Sequence, residues 1–164
     1  MRKRASGNSA GFTLLELLIT AGLCAGLAMI TAHFWRFYSY QLGDLKTRAR
    51  AAQELRLAVD SITHDLGSTV GATPVGDDAV MLCRDAGDIP NGSAQWGEPD
   101  RMVLYSLVDG QLVRDDQSLG VAIVVADGVR TFAAEDVSES VLRVTIAVGF
   151  GDVTRQATLM WGRP

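Results

Sequence analysis

The sequence predicts an α+β protein: a long N-terminal helix, membrane-spanning in its first half and amphipathic in its second, packed on a C-terminal antiparallel β-sheet. Three observations carry this. Residues 11–32, GFTLLELLITAGLCAGLAMITA, form an apolar run with one charge, as long as the ~20 residues a helix needs to cross a ~30 Å hydrocarbon core. No proline occurs from Phe12 to Thr73, and apolar residues keep recurring at helical spacing to Leu66. From residue 69 onward glycine, proline and aspartate punctuate short β-branched runs, the pattern of strands joined by turns.

The chain has 164 residues, enough for one domain beside the helix. Removing the basic residues Arg2, Lys3 and Arg4 from a net charge of −4 leaves about −7. An acidic soluble part argues against general nucleic-acid binding, which draws on a basic surface.

Residues 1–11, MRKRASGNSAG, are short, basic and polar. Positive residues stay on the cytoplasmic side, so the chain beyond the span is expected on the far side. Residues 12–34 are the expected transmembrane half. Glu16 lies inside it, and a carboxylate at the centre of lipid costs about 3 kcal/mol on insertion scales. Gly22 and Gly26 form a GxxxG pair that lets a second helix approach closely, although glycine is common in such helices anyway. Residues 33–40, HFWRFYSY, read as an aromatic belt at the outer interface. His33 is expected there rather than on a metal, because no second His or Cys stands near it at ligand spacing.

Residues 35–66 are the amphipathic half. Leu42, Leu45, Ala49, Ala52, Leu55, Val59, Ile62 and Leu66 recur at three and four and are expected to share the buried face. Lys46, Arg48, Arg50, Glu54, Arg56, Asp60 and Asp65 stand between them. Gly67 and Ser68 are the expected terminators. A helix from Phe12 to Leu66 would be roughly 80 Å long.

Residues 67–164 are the expected β-rich domain. Ala79 to Cys83 reads as its first short strand, and 84–100 as a long loop rich in turn formers. Arg101 to Val108 and Gln111 to Arg114 flank Asp109-Gly110, a strong two-residue hairpin signal. Val121 to Ala126 looks like a buried strand, and Asp127-Gly128 turns into Val129 to Ala133. Val141 to Gly149 and Val153 to Trp161 form a second hairpin across Phe150-Gly151-Asp152.

The stretch Gly11-Phe12-Thr13-Leu14-Leu15-Glu16, behind a basic leader and at the head of a membrane-length span, resembles the prepilin segment of type IV pilins and type II secretion pseudopilins. The resemblance covers about a third of the chain. A weaker one, in MVLYSLVDGQLVRD, VADGVRTFAAED and the final hairpin, points to minor subunits of the PilW type or the J-type pseudopilins. It implies a pilin-like fold and a structural, non-enzymatic role. It also implies cleavage after Gly11 by prepilin peptidase and N-methylation of Phe12. Glu16 is then the assembly residue, meeting a neighbour's freed amine, with Gly22 and Gly26 at helix contacts. The implied partners are that peptidase, other pilin or pseudopilin subunits through the N-terminal helix, and an inner-membrane assembly platform. The implied location is a single pass of the inner membrane, N-terminus cytoplasmic and C-terminal domain periplasmic, followed by incorporation into a filament.

An ordinary signal anchor would not explain Phe12 after Gly11 or a buried Glu16. A protonated Glu16 bonded within its own helix is the alternative to pairing. Other functions compatible with the residues are a single-span anchored enzyme or sensor, and a pilus subunit that binds DNA during uptake. There is no P-loop, dinucleotide fingerprint or CxxC, and no cofactor is expected. Asp77, Asp78, Asp85, Asp88 and Asp100 fit no EF-hand spacing and are expected as solvated turn residues, with no metal site assigned. Cys24 and Cys83 lie in different compartments, so a bridge between them is not expected. Cys83 reads as a small buried apolar residue.

Overall fold

The computed structural model describes residues 13–86 and 92–162. Their secondary structure is one helix, α1 (Leu14–Leu66), followed by eight strands. The chain divides into two units, Met1–Asp44 and Leu45–Pro164, and α1 contributes to both.

In the first unit α1 stands exposed from Leu14 to Asp44. It is long and apolar enough to cross a membrane. Its few hydroxyls turn back onto the helix: Thr20 donates to the Glu16 carbonyl at 2.8 Å and Thr31 to the Leu27 carbonyl at 2.8 Å. That satisfies polar groups where lipid offers no partner. In the aromatic segment the Phe34 and Tyr38 rings, one turn apart, stack with centroids 6.5 Å apart.

The second unit holds the rest of α1 and all the strands. A five-stranded antiparallel sheet runs in order β1 (Thr69–Pro74), β2 (Ala79–Arg84), β3 (Arg101–Val108), β4 (Gln111–Asp116) and β5 (Val121–Asp127). A three-stranded antiparallel sheet follows: β6 (Val129–Ser138), β7 (Val141–Phe150) and β8 (Val153–Gly162). One core joins Ala58, Ile62 and Leu66 of α1 to residues of both sheets, among them Val80, Leu82, Tyr105, Phe132, Val144 and Ile146.

The helix ends where the sequence places its terminators. The Gly67 amide bonds the Thr63 carbonyl at 3.0 Å. The Ser68 and Thr69 hydroxyls both donate to the Asp65 carbonyl, at 3.2 and 2.8 Å. These bonds occupy carbonyls that have no acceptor role left inside the helix. At the β3–β4 hairpin Asp109 and Gly110 both take positive φ, 50° and 76°, the backbone a two-residue turn between twisted strands requires.

Five expectations are corrected. The first strand is β1, not Ala79–Cys83. Gly71 and Pro74 disguise it, and both are tolerated because β1 is an edge strand. At Gly71 an added Cβ would stand 2.6 Å from the Ala94 Cβ, so glycine is what lets the 92–100 loop close over the strand. Second, there are two sheets rather than one. Third, β6 continues to Ser138 and pairs with β7, not with β5. The chain leaves the first sheet at Gly128, whose φ is +67°. There the Gly128 carbonyl accepts from the Gly149 amide at 2.8 Å. Fourth, β5 is not buried: it is an edge strand, with Val121, Ile123 and Val124 about half exposed. Fifth, the buried face of α1 is Ala51, Ala58, Ile62, Asp65 and Leu66. Leu55 and Val59 are half-buried, whereas Leu42, Leu45, Ala49 and Ala52 are exposed. Asp65, assigned to the polar side, belongs to the core.

Candidate functional site

Gly11 and Phe12, the expected cleavage and methylation positions, lie outside the described residues. Glu16 lies within them, and its surroundings are specific. Its carboxylate Oε2 accepts the Thr13 amide at 3.1 Å and the Thr13 hydroxyl at 3.1 Å. The Glu16 amide in turn donates to the Thr13 Oγ1 at 3.3 Å. Threonine before the first turn and glutamate three residues on form a capping box, which satisfies two of the amides a helix start leaves unpaired. The carboxylate also stands where the positive end of the helix dipole favours a negative charge. The signal was in the sequence as Thr13-x-x-Glu16 ahead of an apolar run; the alternative of a Glu16 bonded within its own helix did not name Thr13 as the partner. Thr13 therefore joins the candidate residues.

Gly22 and Gly26 sit on the exposed surface of α1, and a Cβ built at either meets nothing within 4 Å. That strip of helix is open to a close approach, and nothing among the described residues stands against it there.

A second polar constellation, absent from the expectations above, lies in the Leu45–Pro164 unit. The Asp65 side chain is 3 % exposed. Its Oδ2 accepts Arg114 Nε at 2.7 Å and the Tyr105 hydroxyl at 2.7 Å. Its Oδ1 accepts Arg84 Nη1 at 3.1 Å and Arg114 Nη2 at 3.4 Å. Tyr105 Oη also bonds Ser61 Oγ at 2.8 Å. The last turn of α1 is thus joined to β2, β3 and β4 through one carboxylate. Burial alone would raise the Asp65 carboxyl. The Arg114 and Tyr105 hydrogen bonds and the charges of Arg114 and Arg84 outweigh it and hold the group below its usual range. The Arg114 guanidinium is raised, chiefly by its bond to Asp65. The Tyr105 phenol is raised, chiefly by burial. At neutral pH the cluster is a carboxylate held by two cations, a fastening rather than an acid–base pair poised to exchange protons.

Cys83 is fully buried, as expected of a small apolar residue. Its Sγ lies 3.4 Å from Asp100 Oδ2 and 3.7 Å from the Gln95 carbonyl. Burial first and Asp100 second push the thiol up to about 11, far from the range of reactive thiolates. Asp100 is not a solvated turn residue. It is 3 % exposed and accepts the Gln95 amide at 2.7 Å, while among the described residues its buried Oδ1 has no hydrogen-bond partner. Asp77 and Asp78 are exposed, Asp85 is half-buried and accepts the Gly92 amide at 3.0 Å, and Asp88 lies outside the described residues. Among the described residues no three His, Cys, Asp or Glu side chains gather as a metal site would require. His33 and His64 are both exposed on α1.

No protein-family model matches the chain, and neither a curated protein nor a solved structure matches it.

Proposed function

We propose that this chain is a structural subunit of a filament, a minor pilin or minor pseudopilin of a type IV pilus or type II secretion machine. In this reading it has no enzymatic activity. It crosses the inner membrane once, with the β domain in the periplasm, and prepilin peptidase trims it after Gly11. Its helix then packs against those of other subunits at an inner-membrane assembly platform. The observation that carries the proposal is the continuity of α1. An exposed apolar half with one carboxylate near its start runs into a half whose buried face packs on antiparallel sheets. The capping box gives that carboxylate a use in any such helix, and a subunit whose neighbour offers a freed amine gives its charge a second one. The attraction between two such charges grows steeply as the dielectric falls.

The capping box sharpens the test, because Glu16 has local work to do as well. Glu16→Gln keeps an oxygen to accept from Thr13 but removes the charge, and Glu16→Ala removes both. If pairing with an amine is the role, both variants are cleaved normally and both fail to enter filaments. If capping is the role, Glu16→Gln enters like the parent and only Glu16→Ala fails, which would overturn the pairing mechanism. The mass of the mature N-terminus decides the processing step. A chain starting at methylated Phe12 is expected, and Gly11→Ala slows its formation. A chain still starting at Met1 would favour a membrane-anchored enzyme or sensor instead.

A further inference from the structure

β8 is the outer strand of the three-stranded sheet, and its inward face is unfinished. Arg155, Ala157, Leu159 and Trp161 stand opposite Val148, Ile146, Val144 and Leu142 of β7. All four β7 residues are 0 % exposed, while their β8 partners remain half-buried or exposed. Helix α1 covers the middle of the sheet and stops short of its edge, leaving a groove between helix and strand. One cavity of about 500 Å³ lies between α1 at Leu55, Arg56 and Val59 and β8 at Arg155–Ala157. A second, of about 460 Å³, lies between the end of α1 and β8 at Leu159–Gly162. Helix and strand ascend together along these cavities. Residues 52–66 of a helix span roughly 21 Å, and residues 155–162 of a strand roughly 23 Å, so the two cavities, which share no lining residue, lie in succession along one helix–strand trough.

The geometry points to this trough as the seat of an added β-strand, supplied by another protein chain and antiparallel to β8. Three features choose the occupant. The outer edge of β8 presents backbone N–H and C=O groups that β7 does not use, and an extended backbone satisfies them. The floor is apolar over most of its length, through Leu55, Val59, Leu159 and Trp161, so alternate side chains of the added strand are apolar. Arg56 and Arg155 stand together at the start of β8. Arg56 is only loosely engaged, at 3.4 Å from the exposed Asp60. The added strand therefore carries a carboxylate at the end beside them, which for antiparallel addition is its C-terminal end. About seven residues fill the trough. The inference concerns the β domain alone and stands whether or not the chain enters a filament.

The test uses the full-length chain, isotope-labelled in detergent micelles, and two synthetic peptides: acetyl-Val-Thr-Val-Thr-Val-Thr-Glu-amide, whose valines and glutamate share one face, and its counterpart ending in lysine. The glutamate peptide is expected to slow amide exchange along β8 and to bind about three- to tenfold more tightly than the lysine peptide, the range two partly exposed ion pairs supply. Arg155→Glu, at an exposed position, sets a negative charge beside the remaining Arg56 and is expected to abolish that preference. Four results would overturn the inference: no added protection on β8, protection on β5 instead, an order of affinity unmoved by Arg155→Glu, or β8 protection that grows with protein concentration in the absence of peptide, which would make the occupant a second copy. The comparison of the two peptides on the parent chain decides the matter even if the variant folds poorly.

Discussion

Replacing Asp65 by asparagine tests whether the buried carboxylate fastens helix to sheet. Asparagine has almost the same shape and its oxygen can still accept from Tyr105 and Arg114 Nε, but its NH2 replaces the oxygen that accepts from Arg84 and Arg114 Nη2, so the perturbation is the loss of one charge and of those two acceptor contacts. It leaves Arg114 and Arg84, 17 % and 25 % exposed, facing a neutral amide. Removing one partner of a buried ion pair costs about 3–5 kcal/mol, because the remaining charge stays desolvated. Here Asp116 stands 3.8 Å from Arg114 and retains part of the compensation, and Arg84 can turn toward water. The lower end, about 3 kcal/mol, is therefore expected. Against a typical total of 5–15 kcal/mol this is a large fraction. In urea, with a slope of about 2 kcal/mol per molar, the midpoint falls by about 1.5 M. The assay is equilibrium unfolding of the full chain in micelles, followed by near-ultraviolet dichroism of the tryptophans. A shift below about 0.5 M would refute the reasoning, since that would correspond to less than about 1 kcal/mol.

The same carboxylate sets a pH dependence. Its folded pKa lies below the ordinary value of 3.8, so the unfolded chain takes up the proton first as pH falls. Stability from this group is complete above the ordinary carboxylate range and is lost as pH drops through the lowered folded value. Asp65→Asn is expected to flatten that acid limb. An acid limb of unchanged steepness in the variant would assign the dependence to other carboxylates.

Two further outcomes follow from the packing. Gly128→Ala places a Cβ 2.5 Å from the Phe150 ring at a φ of +67°, and that ring also carries the Arg50 guanidinium 4.4 Å above it. A loss of about 1–3 kcal/mol is expected from crowding and backbone strain together. Gly151→Ala, also at positive φ but with open space around the new methyl, is expected to cost less, and equal losses in urea unfolding would contradict the crowding. Cys83, with its thiol near 11, is expected to resist disulfide reagents at pH 8 in a Cys24→Ser background and to react in step with unfolding. Prompt labelling of the folded protein would show the site to be open.

How much of this could be read from the chain depended on whether the deciding interaction was local. The helix was legible because lipid-length apolarity, three-and-four spacing and the absence of proline all act within a few residues. The β3–β4 hairpin was legible because Asp109-Gly110 adopts the turn backbone by itself. The division into two sheets was not. Asp127-Gly128 reads as a turn in either case, and what carries β6 away from β5 is a set of bonds to Gly110 and Gly149, distant in sequence. β5 misled for a related reason. A β-branched run marks a strand, but which strands it lies between decides burial, and β5 has a neighbour on one side only.

Asp65 is the instructive failure, because its clues were present and were sorted by charge instead of position. Ala58, Ile62 and Asp65 are spaced four and three, so any helix that buries the first two turns the third inward as well. The hairpin signal also fixes Tyr105 opposite Arg114, a phenol and a guanidinium side by side on one sheet face. A carboxylate on the helix face that packs there is what such a pair needs. Glu16 repeats the lesson at the other end of α1. Its acid was singled out because it stands in an apolar run, yet the residue that explains its conformation in a lone chain is Thr13, three positions earlier. In both places an acidic side chain on α1 is kept by a named donor rather than by water. The capping bonds hold Glu16 close to the helix start, so a neighbour's amine has to arrive at that start, not at the helix flank, to compete for it. A filament in which subunits met only along the flanks of α1 would leave Glu16 with Thr13 and give its charge no further part to play.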